Sequence, residues 1–345
     1  MTKIDVTLFL HGLALNDEII SFFAPHQKAV AYSRNIRKIR SINPDALFEV
    51  ALSWADYSVI RYAFARNGDA LKVIHAPFVK GDKPNQISGE SRFVDLYSSS
   101  INFEKDIYKM LLKIRDIIDR NHSVTLIFHP LPYNDLTADE DALVNKIVFN
   151  LHKICPMLQD LNIYLALENM PFFTRIHKVY NKVFGTYSFF KKVFEACSCP
   201  NVGLTFDFGH ANSTARFLWD NKEITTKELE TFEFQRKFLQ EVGDRLLHIH
   251  FHYNPAHLST YKLGINKFIH KLQNYDFHDS IQNYRVQDIL NINSILNKVL
   301  SSRRFNSKAP LTLTLEVLPR SLKSFSSYLS DVKVVDKFVR RSVLK

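Results

Sequence analysis

The chain has 345 residues, with 46% hydrophobic residues, 13% aromatics and a formal net charge of +10 at pH 7. That is ample material for a packed core, and no stretch approaches the roughly 18 uncharged apolar residues of a membrane-spanning helix, so a membrane association is not expected. The basic balance favours an anionic partner such as nucleic acid or a phosphorylated substrate, although a lysine-rich surface also serves solubility alone.

The N-terminal Met1-Thr2-Lys3-Ile4-Asp5 meets an acid at once, unlike a signal peptide, and a cytoplasmic chain is expected. Val6–Leu10 predicts a first strand. The basic run Arg34–Arg40 then closes a helix that buries Ile36 and Ile39. Phe48–Trp54 predicts the second strand, with a helix to about Arg66 broken by Asn67-Gly68-Asp69. Leu71–His75 predicts the third strand and the polar stretch 78–101 a long loop. Ile107, Met110, Leu111, Ile114 and Ile118 line one face of a helix over 103–120. Val124–Phe128 predicts the fourth strand. Thr137 with Glu140 predicts a capping box before the next helix, and Ile163–Leu167 the fifth strand.

An insertion at 171–192, rich in aromatics and cations, offers a lid, a subunit contact or a surface for nucleic acid. Three cysteines are too few for a disulfide framework, and Cys197-Ser-Cys199 is too isolated for a zinc motif, so reduced thiols are expected. Val202–Asp207 predicts the sixth strand. Thr225 with Glu228 caps a helix that Gly243 ends, and Leu246–Phe251 predicts the seventh strand. After an insertion at 253–286 come a helix near 289–300, an eighth strand, Leu311–Leu315, and a basic amphipathic helix at 324–343. No low-complexity linker divides the chain and no repeat occurs, so 1–345 is expected to be one domain. Eight alternations of strand and helix predict a (β/α)8 barrel, a TIM barrel, with long insertions in its βα loops.

The chemistry is written where strands end. Six successive strands run into His75, His129, Glu168, Asp207, His250 and Glu316. In a closed parallel barrel these strand ends share one rim, where such barrels build their sites. A lone buried His or Asp is usually core, but six in register predict a divalent-metal site. Mixed oxygen and nitrogen ligands suit Zn, Mn, Fe or Co.

The motifs His75-Ala-Pro, Phe128-His129-Pro, Leu167-Glu168-Asn169, Asp207-Phe-Gly-His210, His248-Ile-His250 and Leu315-Glu316 resemble those of the xylose isomerase-like barrels. That superfamily includes sugar isomerases and epimerases and abasic-site nucleases of the endonuclease IV type. The resemblance covers essentially the whole chain. It implies Glu168, Asp207, His250 and Glu316 as central metal ligands. The nuclease branch adds five ligands, for three metals, at the places of His75, His129 and His210 and of an Asp-x-His, for which Asp276-Phe-His278 is the candidate. A family of iron-dependent peptide-modifying barrels uses a similar cluster, so one to three ions per chain are implied.

The departures cut both ways. Asp207-Phe-Gly-His210 is nearer the sugar-enzyme form, and Phe251-His252-Tyr253-Asn254 lacks the acid usual in the nuclease. The acid and Arg that characterised epimerases place after the seventh-strand His are also missing. In an isomerase or epimerase acting on a carbohydrate-like compound, Glu168 and Glu316 would exchange a proton with substrate carbon and His210 would donate to a substrate oxygen. In a hydrolase, clustered metals would activate water against a phosphodiester. The sugar reading is the first expectation, the nuclease or a multinuclear peptide oxidase the alternative, and self-association is left open.

Overall fold

The computed structural model describes residues 5–9, 25–42, 44–52, 57–76, 79–80, 83–84, 96, 103–129, 139–171, 174–175, 178–179, 182–260, 280–302, 311–316 and 330–334. Eight parallel strands close into a barrel: β1 (Asp5–Phe9), β2 (Leu47–Ala51), β3 (Leu71–His75), β4 (Val124–Phe128), β5 (Ile163–Glu168), β6 (Val202–Asp207), β7 (Leu246–Phe251) and β8 (Thr312–Leu315). Each strand pairs with its chain neighbours, and β8 closes on β1 with Val6 opposite Leu313. Helices fill the connections: α1 (Pro25–Ile42), α2 (Tyr57–Phe64), α3 (Phe103–Arg115), α4 (Glu140–Asp160), α5 (Tyr187–Ala196), α6 (Phe208–Asp220), α7 (Thr226–Glu230), α8 (Glu233–Val242) and α9 (Val286–Ser302). This is the expected (β/α)8 architecture. Among the described residues no helix is long and apolar enough to cross a membrane.

Period-2 alternation sorts the strand residues. On β5, Ile163, Leu165 and Leu167 join the main core under the helices, whereas Tyr164 and Ala166 form a small separate cluster with Leu247. Leu247 falls at a register shift between β6 and β7, and such irregularities re-aim side chains. Gly203 on β6 is required by close approach, since a Cβ there would lie 2.3 Å from the Arg245 carbonyl oxygen.

Four local expectations change. The cap of α4 is Asp139, whose side chain accepts the Asp141 N–H, and Thr137 lies outside the described residues. The Thr225/Glu228 capping box is present, but the expected single helix splits into α7 and α8 at Phe232. There φ is 58°, a left-handed conformation that lets the buried ring stack on His257 at 4.9 Å. In the insertion at 171–192, Phe184, Phe189 and Phe190 are fully buried in the core. Lys191 and Lys192 pair with Glu241, Glu140 and Asp141. Those three aromatics are therefore interior packing, whereas Phe172, Phe173 and Tyr180 of the same insertion lie outside the described residues.

The fourth correction concerns the thiols. Cys155 on α4 and Cys199 before β6 form a disulfide with a Cα–Cα distance of 5.7 Å, and only Cys197 is free, buried between α5 and β6. Sequence separation had concealed a pair that lies 44 residues apart. Thiol titration of unfolded, unreduced protein is expected to find one thiol per chain, and reduction to lower stability by roughly 2–4 kcal/mol. Three titratable thiols would contradict the pairing.

Candidate metal centre

The barrel brings six of the expected residues to one rim. His75, Glu168 and Asp207 are the last residues of β3, β5 and β6. His129 and Glu316 directly follow β4 and β8, and His250 is the penultimate residue of β7. Register places Asp207 opposite His250 and Thr205 opposite Glu168. Asp276 and His278 lie outside the described residues.

Glu168 is the hub. Its Oε1 lies 2.9 Å from His250 Nδ1, and its Oε2 lies 3.2 Å from His75 Nε2 and 3.0 Å from His129 Nε2. His250 Nδ1 also lies 3.3 Å from Glu316 Oε2 and 3.7 Å from Asp207 Oδ2. Two potential ligand sets result, each with its donor atoms within 4.8 Å of one another: Glu168, Asp207, His250 and Glu316, and His75, His129 and Glu168. They share Glu168, one oxygen serving each.

The ends of β5 and β6 are tied by Asn169, which the sequence reading left without a role. Its Oδ1 accepts the Asp207 N–H at 2.7 Å, and its Nδ2 donates to the Asp207 carbonyl at 3.0 Å. Asp207 in turn caps α6 by accepting the His210 N–H at 2.7 Å. His210 Nδ1 lies 2.9 Å from the Asn169 carbonyl, which can only accept, so this nitrogen carries the proton. His210 stands at the edge of the cluster, 3.6 Å from Glu168 and 3.8 Å from Asp207, and belongs to neither ligand set.

Burial alone would push the carboxyl groups up, but the surrounding imidazoles outweigh it. His250 and His129 hold Glu168 well below the usual carboxylate range, and His210 and His252 do the same for Asp207. Burial pulls His250 down, yet Glu316, Glu49 and Glu168 raise it well above the usual imidazole value. His75 and His129 share Glu168 Oε2 yet shift in opposite directions. The hydrogen bond to Glu168 overcomes burial for His75, whereas burial prevails for His129. The rings are 4.8 Å apart, and two imidazolium ions on one oxygen would repel, so one stays neutral.

The donor set fits a cation. Asp207 Oδ2 is buried without a hydrogen-bond partner and faces the same small volume as Glu168 Oε1, His250 Nδ1 and Glu316 Oε2. A buried carboxylate oxygen left so costs free energy that a divalent ion would offset. Mixed oxygen and nitrogen donors suit Zn, Mn, Fe or Co. His75 Nδ1, 3.2 Å from the Ala76 carbonyl, must donate there, which leaves Nε2 as the ligating atom.

Sequence reasoning missed Glu49, His248 and His252. Glu49 and His248 are fully buried beneath the rim and form a third potential ligand set with His250. His252 Nε2 lies 3.1 Å from Asp207 Oδ1. The available signals were a carboxylate inside the apolar run Leu47-Phe-Glu-Val-Ala51 and a His two residues before His250, on the same strand face.

Residues 57–281 match the family model described as xylose isomerase-like TIM barrel. The chain belongs to the xylose isomerase-like TIM barrel family. Within reach of this family member by sequence is the uncharacterized protein MJ1311 of Methanocaldococcus jannaschii, 27% identical over 244 residues, which span 66% of this chain and 69% of the relative. Among solved structures, a D-tagatose 3-epimerase-like protein superposes with a TM-score of 0.57 at 17% identity, covering 98% of each chain. A family 2 AP endonuclease from Brucella melitensis gives 0.53 at 12% identity, covering 94% of this chain and 99% of its own. At such identities the two structures establish the barrel fold alone, and both chemistries occur on it.

Proposed function

We propose that the chain is a divalent-metal-dependent isomerase or epimerase acting on a sugar or related hydroxy-carbonyl compound. The observation that carries this reading is the meeting of Glu168 and Glu316, from β5 and β8, at one nitrogen of His250, with Asp207 beside them. These four residues would hold Zn, Mn, Fe or Co. The cation would polarise a carbonyl and offset the charge that builds on its oxygen. The remaining work falls to the chain's own groups. One glutamate, starting ionised, would take a proton from the carbon beside the carbonyl, and the other, starting protonated, would give its own proton to that carbon. His210 holds its Nδ1–H on the Asn169 carbonyl, which sets the ring at the edge of the site, where it would contact a substrate oxygen.

A specific observation favours a second reading. Glu168 Oε2 already faces two imidazoles, and its carboxyl is held well below the usual range, which makes it a weak base. A carboxylate with one oxygen in each of two ligand sets suits a bridge between two ions. Such a cluster favours metal-assisted hydrolysis of a phosphodiester, with the net charge of +10 drawing a nucleic acid, abasic duplex DNA in particular. Peptide oxidation at a multinuclear iron cluster is a third outcome.

Elemental analysis of protein purified without added metal tests these directly. One ion per chain is expected for the isomerase, and hydroxy-ketones and aldoses would then be screened. Two or three ions would overturn it in favour of the cluster enzyme, and abasic duplex DNA would be assayed first.

A further inference from the structure

The rim residues do not account for Glu49. Barrel interiors are filled mainly by branched apolar side chains. Yet β2 places this carboxylate, fully buried, in the middle of the barrel. Removing a charge from water costs several kcal/mol unless partners compensate it. Its partners are two histidines of β7. Glu49 Oε1 is hydrogen-bonded to His250 Nε2 at 3.0 Å, and Oε2 lies 3.3 Å from His248 Nε2, an ion-pair contact outside hydrogen-bond geometry. His248 Nδ1 lies 2.6 Å from Thr312 Oγ1, which fixes that ring from the β8 side.

Residues two apart on a strand share a face, so His248 and His250 both turn inward, with ring centroids 4.7 Å apart. His250 thus spans two carboxylate environments. One nitrogen faces Glu49, and the other faces Glu168, Glu316 and Asp207. An ionised carboxylate only accepts hydrogen bonds, so the nitrogen facing Glu49 carries a proton. Glu168 Oε1, 2.9 Å from Nδ1, asks the same of that nitrogen, so a cation at the rim would take the place of the Nδ1 proton alone while Glu49 keeps the one on Nε2. A half-turn of the ring about Cβ–Cγ would forfeit the contact with Glu49.

We infer that Glu49 is a positioning residue for the metal centre, selecting the tautomer and orientation in which His250 ligates through Nδ1, with His248 and Thr312 holding Glu49 in place. Glu49 touches no rim carboxylate at hydrogen-bond distance and acts through His250. The inference rests on the metal-dependent reading proposed above, and its test is a binding measurement independent of any substrate. Outer partners of ligating histidines contribute about 10–100-fold in metal affinity, and Glu49 is expected to fall in that range.

The experiment compares wild type with Glu49→Gln, full-length and stripped of metal, for Zn²⁺ affinity by chelator competition. Stoichiometry at saturation and the visible spectrum of the Co²⁺-loaded protein are recorded alongside. Glu49→Gln keeps the shape of the side chain but removes its charge, and its amide can donate as well as accept. The expected result is a dissociation constant raised about 10–100-fold, an unchanged number of ions at saturation and an altered Co²⁺ band. A purely structural role would leave the Co²⁺ band of the folded variant in place.

Unchanged affinity and spectrum would overturn the inference alone. So would loss of one whole ion with the remaining affinity intact, because Glu49, His248 and His250 would then be ligands of an inner ion. Wild type that binds neither Zn²⁺ nor Co²⁺ would overturn both the inference and the reading beneath it. Should Glu49→Gln not fold, His248→Gln poses the same question one residue away. It is expected to weaken Zn²⁺ binding about 10-fold, and wild-type affinity there would overturn the inference.

Discussion

Glu168→Gln is expected to lower turnover by about 10²–10⁴-fold, the range that a lost general acid–base group commands, while the chain still folds. The reason lies in how the two oxygens are divided. Oε1 serves the set with Asp207, His250 and Glu316, and Oε2 serves the set with His75 and His129. A glutamine has one carbonyl oxygen and one NH₂. Its oxygen can satisfy one set, but its NH₂ then faces nitrogens on the other side that would otherwise ligate or donate. The variant therefore disables proton transfer and weakens metal retention together.

Folding survives because the shape is conserved and the loss is confined. Hydrogen bonds to charged groups contribute roughly 1.5–3 kcal/mol each, against a typical total stability of about 5–15 kcal/mol. The relevant measurements are kcat on the substrate found by screening, bound metal by elemental analysis, and the circular dichroism spectrum. Wild-type turnover in a folded variant would remove Glu168 from the chemistry under the isomerase and the hydrolase readings alike.

The parts of the molecule that follow from periodicity were legible in the sequence. Apolar runs ending in His75, Glu168 and Asp207 mark strands whose last residue lies at the rim, and the structure brings these residues within hydrogen-bond or ion-pair distance of their neighbours. The barrel interior was less legible. Glu49 sits in a run in which Phe48, Val50 and Ala51 are buried as well, and a strand pattern does not say which face points inward until the barrel closes. The break at Phe232 depends on a ring finding His257, 25 residues later, and no local propensity encodes that. The Cys155–Cys199 pair likewise depends on α4 lying beside the segment that leads into β6. The Gly within Asp207-Phe-Gly-His210 was read only as a sign of kinship, and its physical requirement comes from a residue on the next strand's exit.

That requirement gives the other large effect, Gly209→Ala. A Cβ at position 209 would lie 1.8 Å from His252 Nε2, 2.4 Å from Cε1 and 2.6 Å from Cδ2. Such contacts force something to move, and neither side moves cheaply. Gly209 lies in the first turn of α6, and its carbonyl accepts from Ser213 Oγ and from Asn254 Nδ2, each at 3.1 Å. His252 is fully buried, its carbonyl takes the Tyr284 hydroxyl at 3.0 Å, and its Nε2 holds Asp207. Alanine is favoured over glycine by about 1 kcal/mol in a helix interior, so a site with open space would gain stability. Here overpacking costs about 3 kcal/mol and prevails. The expected net loss is about 2 kcal/mol, or roughly 3 °C in Tm for a chain of this length. Because His252 would have to leave Asp207, Zn²⁺ affinity is expected to fall as well. The His252→Ala background supplies the control, since it removes the ring that meets the new methyl group. There Gly209→Ala should be neutral or stabilising, and a double-mutant cycle on thermal stability should return a coupling of about 2–3 kcal/mol. Equal destabilisation in both backgrounds would mean that backbone geometry at position 209, and not the His252 ring, demands glycine.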